Sequence, residues 1–163
     1  MIFYRKRKMN KALLESGRDD WETPQDLFND LNREFGFTLD PCATPDTARC
    51  AKYYTRAEDG LNRDWTGEVV FCNPPYGRKQ DAWVRKCSAH GAGGGVAVML
   101  LPARTDTARF HDFILGKAEI RFVRGRLKFT GAMNPAPFPS MVVVFGKDDH
   151  LTMFNKLNLS RRQ

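Results

Sequence analysis

Apolar positions along this chain are spaced in ways that name its elements. Leu27, Phe28, Leu31 and Phe35 recur at steps of one, three and four, which predicts a helix with one apolar stripe. Thr23 stands where an N-cap hydroxyl is wanted, Pro24 suits the first helical position, and Gly36 suits the stop. Residues 37–40 read as a short strand halted by Pro41. Residues 41–66 are irregular, rich in Thr, Asp, Arg and Ala, with a turn signal at Asp59-Gly60. A continuous apolar run at 69–72 has strand length and is cut off by Asn73-Pro74-Pro75-Tyr76-Gly77. Residues 79–90 read as a helix with Ala82, Trp83, Val84 and Cys87 inward, followed by a turn at Gly91, Gly93, Gly94 and Gly95. The run 96–101 is the most continuous buried strand, stopped by Pro102. Residues 106–115 give another amphipathic helix through Phe110, Phe113 and Ile114, closed by Gly116, with Asp106 as its cap. Strands are then predicted at 119–123, 127–130 and 141–145, the last two joined by a Pro-rich loop, 131–140.

Strands apolar on both faces and separated by helices predict an α/β fold: a mostly parallel sheet with helices on both faces and antiparallel C-terminal strands. No internal repeat is visible. The expected organisation is a basic arm at 1–20, a single domain at 21–150 and a tail at 151–163.

Charge narrows the partners. The 26 Lys+Arg against 19 Asp+Glu give +7 and favour an anionic partner, nucleic acid before membrane. No apolar run approaches the ~18 residues of a membrane span, and the basic N-terminus lacks the apolar core of a secretory signal. Cys42, Cys50, Cys72 and Cys87 have irregular gaps and suggest reduced thiols rather than a disulfide framework. Cys87 and His90 have a C-x-x-H spacing, but the second half of a zinc ligand set is missing, so no metal is expected.

The informative tetrapeptide is Asn73-Pro74-Pro75-Tyr76. Neither proline has an N–H, each fixes its own φ, and each holds the preceding residue extended. The corner is therefore rigid, and it follows a buried strand, where ligands of open α/β sheets bind. On a planar ring bearing an exocyclic amine, the Asn73 side-chain oxygen and the Pro74 carbonyl can each accept one amine proton. Accepting both keeps the nitrogen lone pair out of the ring and exposes it to an electrophile. Tyr76 offers a flat face for stacking, worth about 1–3 kcal/mol per base in single-strand binders. No titrating base is needed. A plain turn accounts for the same four residues; their place between a buried strand and a helix favours the chemical reading.

With Asn-Pro-Pro-Tyr, the stretches Trp21-Glu22-Thr23-Pro24, Leu39-Asp40-Pro41-Cys42-Ala43, Glu58-Asp59-Gly60-Leu61, Leu101-Pro102-Ala103-Arg104-Thr105-Asp106-Thr107 and Gly125-Arg126-Leu127-Lys128-Phe129 occur in that order. Over about residues 21–146 the chain resembles the phage-type DNA N6-adenine methyltransferase family. The resemblance implies a minimal Rossmann-like methyltransferase fold, S-adenosylmethionine as cofactor, double-stranded DNA as partner and the cytoplasm of a bacterial host as location. It implies Asn73, Pro74, Pro75 and Tyr76 as the catalytic loop. It assigns Trp21, Thr23, Pro24, Asp40, Cys42, Ala43, Asp59 and Asn73 to the cofactor: Thr23 and Pro24 beside its methionine carboxylate, Asp40 at its methionine end, Asp59 at its ribose hydroxyls or amine. The stretch after Asp40 departs from the family's larger relatives in having no glycine. An Asp-Gly turn is the bland account of Asp59.

Arg124, Arg126 and Lys128 would share one face of a strand as a phosphate track, interleaved with Phe122 and Phe129; Arg121 belongs to the same basic cluster. A solvated strand face is the alternative. Arg104, just past a strand end, is placed to touch a phosphate beside a flipped base. Pro41-Cys42 has the look of a cytosine-C5 nucleophile but follows the wrong strand. Two rival functions stay open at this point: the same corner acting on cytosine N4, guanine N2 in RNA or a protein glutamine amide, and a non-catalytic nucleic-acid-binding protein on this fold. The oligomeric state is not legible.

Overall fold

The computed structural model describes residues 21–77 and 79–146, so the basic arm at 1–20 and the tail at 151–163 lie outside the described residues. Six strands form one sheet: β1 (Leu39–Asp40), β2 (Lys52–Tyr53), β3 (Val69–Cys72), β4 (Val96–Pro102), β5 (Glu119–Phe122) and β6 (Ser140–Phe145). Their spatial order is β2-β1-β3-β4-β6-β5. β2, β1, β3 and β4 are mutually parallel, and β6 runs antiparallel between β4 and β5.

Alternation along the strands sends side chains to two layers. Val70, Cys72, Ala97, Met99, Leu101, Met141, Val143 and Phe145 meet Trp83, Val84 and Cys87 of α2 (Gln80–Ala92) and Phe110 and Ile114. On the other face Phe71, Val98, Leu100, Val142 and Val144 meet Phe28 and Leu31 of α1 (Gln25–Phe35), and also Phe129 and Ala136. Phe71 and Phe28 pack edge-to-face with centroids 5.1 Å apart. Both faces of the sheet are thus covered, as the runs at 69–72 and 96–101 demand.

Several details differ from the sequence reading. Pro24, not Thr23, occupies the cap of α1, because the Thr23 hydroxyl is taken elsewhere, as described below. Gly36 ends α1 as expected, with φ 65°. In α2, Gln80 is buried and Ala82 is exposed. The helix expected at 106–115 is shorter, its core a π-helical turn, Phe110–Ile114, and no side chain caps it. Residues 127–130 are not a strand: Leu127 O accepts from Ala136 N at 2.8 Å and Thr130 N donates to Glu22 O at 3.0 Å, so the segment pairs with loops instead of the sheet. β2 had no signal in its two residues, Lys52 and Tyr53, of which only Tyr53 is even half-buried.

The topology selects one rim. From β1 the chain steps outward to β2, then returns across β1 to β3. A doubly wound sheet opens a crevice where the strand order reverses, at the carboxyl ends. Asp40 closes β1 there and Asn73 follows β3 there. Because β6 is reversed, its start at Ser140 pairs with Pro102 at the finish of β4. The segment 123–139, between β5 and β6, therefore belongs to that same rim.

Candidate active site

Asn73 has its orientation fixed by chemistry. Its Nδ2 donates to the Trp21 carbonyl and to Thr23 Oγ1, the latter at 3.0 Å. A carbonyl can only accept, so the amide NH2 must face Trp21. Oδ1 is then forced to the other side, where it is buried without a hydrogen-bond partner among the described residues. An unsatisfied buried acceptor costs about 1–3 kcal/mol. Pro74, also buried, has a carbonyl that accepts no backbone hydrogen bond among the described residues. The corner thus leaves Asn73 Oδ1 without a donor and the Pro74 carbonyl outside the backbone hydrogen bonds of the described residues.

Aromatic rings enclose this corner. Trp21 lies stacked on Tyr76 at 6.5 Å and packs on Phe129 at 5.0 Å. Phe138 meets Tyr76 edge-to-face with centroids 5.4 Å apart and Trp21 likewise at 5.6 Å. Burial pushes the Tyr76 phenol above its ordinary pKa, and its hydroxyl is unpartnered. A phenol raised by burial stays protonated and is poorly suited to act as a base.

Asp40 is 5 % exposed, and burial raises its pKa from 3.8 to about 6, against the lowering effect of backbone N–H groups from Arg49 and Cys42 and of the Arg49 charge. The Arg49 N–H donates to its Oδ2 at 3.2 Å. A buried carboxyl kept at such cost beside the switch point suits a cationic ligand group. The stretch after Asp40 continues the ladder to β2, with Tyr54 N donating to Asp40 O and Ala43 N to Tyr54 O, both at 3.0 Å. Ala43 is buried. Cys42 lies 3.7 Å, sulfur to sulfur, from Cys72. That hydrogen bond works to lower the Cys42 pKa, but burial, Asp40 and Cys87 outweigh it. A protonated, packed thiol is no nucleophile.

Arg49 is a residue that the sequence reading missed. Its guanidinium donates to Glu22 Oε1 at 2.9 Å, to Thr23 O at 2.5 Å and to Gln25 Oε1, clipping the start of α1 to the Asp40 loop. Its Nε is buried and unpartnered. Nothing in the irregular stretch 41–66 marks this arginine over Arg56 or Arg63; only the fold does. Gln80 Nε2 and Ser140 Oγ, each buried and unpartnered, lie at the start of α2 and of β6, on the carboxyl rim.

Asp59 is exposed, with φ 50°, and accepts from Asn62 Nδ2 at 2.7 Å. Its neighbour Gly60 lies against the Asp40 loop: a Cβ there would stand 2.0 Å from Pro41 O. The turn is thus brought to the crevice. Arg124, Arg126 and Lys128 are exposed on the rim segment, without an ion pair among the described residues, though not on a strand. Arg104 is exposed just past β4. Arg121 is different: it pairs with Glu34 at 2.5 and 2.6 Å and with Glu119 at 2.6 Å. Two clefts, about 260 and 480 Å³, lie at the opposite rim and are lined by Thr66, Lys86, His90 and Gly95 among others. None of the candidate site residues lines them, and none of the unpartnered polar atoms belongs to a residue that does.

A mainly parallel sheet with one reversed strand, and an Asn-Pro-Pro-Tyr corner at its switch point, define the methyltransferase-like class of α/β folds. Within that class the chain belongs to the DNA N-6-adenine-methyltransferase (Dam) family, whose sequence model matches residues 10–156. It is 33% identical over 112 residues to the DNA N-6-adenine-methyltransferase of Escherichia phage T1, a match covering 68% of this chain and 47% of that enzyme. The chain thus spans about half the length of that relative. It is 40% identical over 65 residues to the putative methyltransferase YfdM of Escherichia coli K12, covering 36% of this chain and 71% of that protein.

Proposed function

We propose that this chain transfers a methyl group from S-adenosylmethionine to the N6 amino group of an adenine flipped out of duplex DNA. The observation that carries the reading is Asn73 Oδ1, a buried acceptor whose own NH2 is tied down and which has no donor among the described residues. Family membership supports adenine in DNA over the other amines such a corner accepts.

An adenine inside the stack cannot reach Oδ1, so it must flip, at a few kcal/mol. The Asn73 and Pro74 oxygens then accept one hydrogen bond each from its two amine hydrogens, and Tyr76 supports the ring plane. When bound, S-adenosylmethionine supplies an electrophilic methyl on a sulfonium sulfur. Asp40 is suited to its ammonium group. The start of α1, with first-turn N–H groups and the Arg49 guanidinium nearby, is suited to its carboxylate. Cys42, Ala43 and the Asp59-Gly60 turn, which packs on Pro41, would border the rest of the donor beside Asp40. After transfer the nitrogen sheds one proton to water, since Oδ1 and a peptide carbonyl hold that proton without taking it. What the corner contributes is position and fixed dipoles.

The test supplies isotope-labelled donor and unmethylated duplex DNA, followed by digestion to nucleosides. The expected product is N6-methyldeoxyadenosine; N4-methylcytosine would reassign the acceptor. Asn73→Ala is expected to lower turnover by roughly 10²-fold or more even when the donor is saturating. Near-normal turnover in that variant overturns the acceptor grip.

A further inference from the structure

Met133 is 92 % exposed, the most exposed large apolar side chain among the described residues. Its backbone is not adrift. Ala132, the preceding residue, packs into the cluster that contains Tyr76, Phe129 and Phe138. Ala132 N donates to Phe129 O at 3.1 Å, and Ala136 N donates to Leu127 O at 2.8 Å, so the segment is tied on both sides of Met133. Pro135, Pro137 and Pro139 stiffen the return to β6, and Pro139 O accepts from Ala103 N at 2.8 Å. An apolar side chain is thus held out in water, on a fixed mount, beside the corner that would receive a base. Arg124, Arg126 and Lys128 are exposed on the same segment.

We propose that Met133 is a wedge that enters the base stack of duplex DNA and fills the space left by the flipped adenine. The proposal rests on the reading given under Proposed function. Flipping a base leaves a gap between its neighbours, and apolar side chains, methionine among them, are used elsewhere to hold such steps apart. Methionine suits this because its unbranched, polarisable chain adapts to an irregular gap. The flanking cations bring phosphates onto the segment, so the wedge is delivered at the target.

The experiment compares two duplexes: one fully paired, and one in which the target adenine faces an abasic site and is already loosened. Met133→Ala is expected to lower kcat/KM on the paired duplex at least tenfold and to change it less than twofold on the loosened one. Met133→Leu is expected to restore the paired rate. Leu115→Ala, which removes an exposed apolar side chain at the opposite rim, is expected to change neither. Equal losses on both duplexes, or none on either, overturn the wedge while leaving adenine methylation standing. If the unmutated protein methylates neither duplex, the wedge falls together with the functional reading.

Discussion

A single amide shows how far one residue can be reasoned. Asparagine's oxygen and nitrogen are alike in shape, but the Trp21 carbonyl admits only a donor, so Asn73 has one orientation. Asp40 is the second residue whose surroundings make a measurable statement. Its pKa is raised to about 6 by burial, so the proton is bound more tightly in the folded state than in the unfolded one. The stability this gives is complete below about 4 and is lost as pH rises through about 6. Asp40→Asn is expected to be more stable than the unmutated chain at pH 8, by roughly 1–3 kcal/mol, with the gain vanishing near pH 4. Urea titrations at the two pH values measure this. The same variant should bind the methyl donor more weakly, since the carboxylate that suits a cation is gone. Both residues could be picked out in the sequence; Arg49 could not, because its three acceptors come from Glu22, Thr23 and Gln25, far away along the chain.

At the scale of elements, legibility followed burial. The strands at 69–72 and 96–101 were readable because both their faces meet a packed layer, so nearly every position is apolar. The segment 127–130 misled because Leu127 and Phe129 alternate with Lys128, as a half-buried strand would. Phe129 instead fills the aromatic cluster and the backbone bonds to loops. Gly60 joins two elements that the sequence left unconnected. Gly60→Ala places a methyl against the Pro41 carbonyl, and overpacking of this kind typically costs about 1–3 kcal/mol. Because Pro41 follows Asp40, donor affinity should fall with stability. Gly93→Ala is the control, since its nearest neighbours are an ordinary 3.5 Å away. Thermal unfolding and calorimetric titration of the donor check both variants.

For the whole molecule, composition pointed to an anionic partner, and the fold decides which cations are available to it. Arg124, Arg126 and Lys128 lie exposed on the rim of the corner, whereas Arg121 is committed to two carboxylates. Replacing each of the first three by Gln should weaken DNA binding whatever its sequence. It should also flatten the salt dependence by about 0.9 in log–log slope for each phosphate that is no longer neutralised. Arg121→Gln should leave that slope unchanged and lower stability. Affinity measured across a salt series separates the two. The overall α/β class was legible from the alternation of strands and helices. The strand order was not, because β1 and β2 are only two residues each and the crossover between them carries no periodic signal.

The backward run of β6 has a consequence for how the two ends of the domain meet. A last strand laid in the common direction would begin at the far side, and the stretch before it would hang below the sheet. Turned about, it carries its leading loop up to the early rings, so Phe129 and Phe138 close on Trp21, more than a hundred residues before them, like the two blades of a shear.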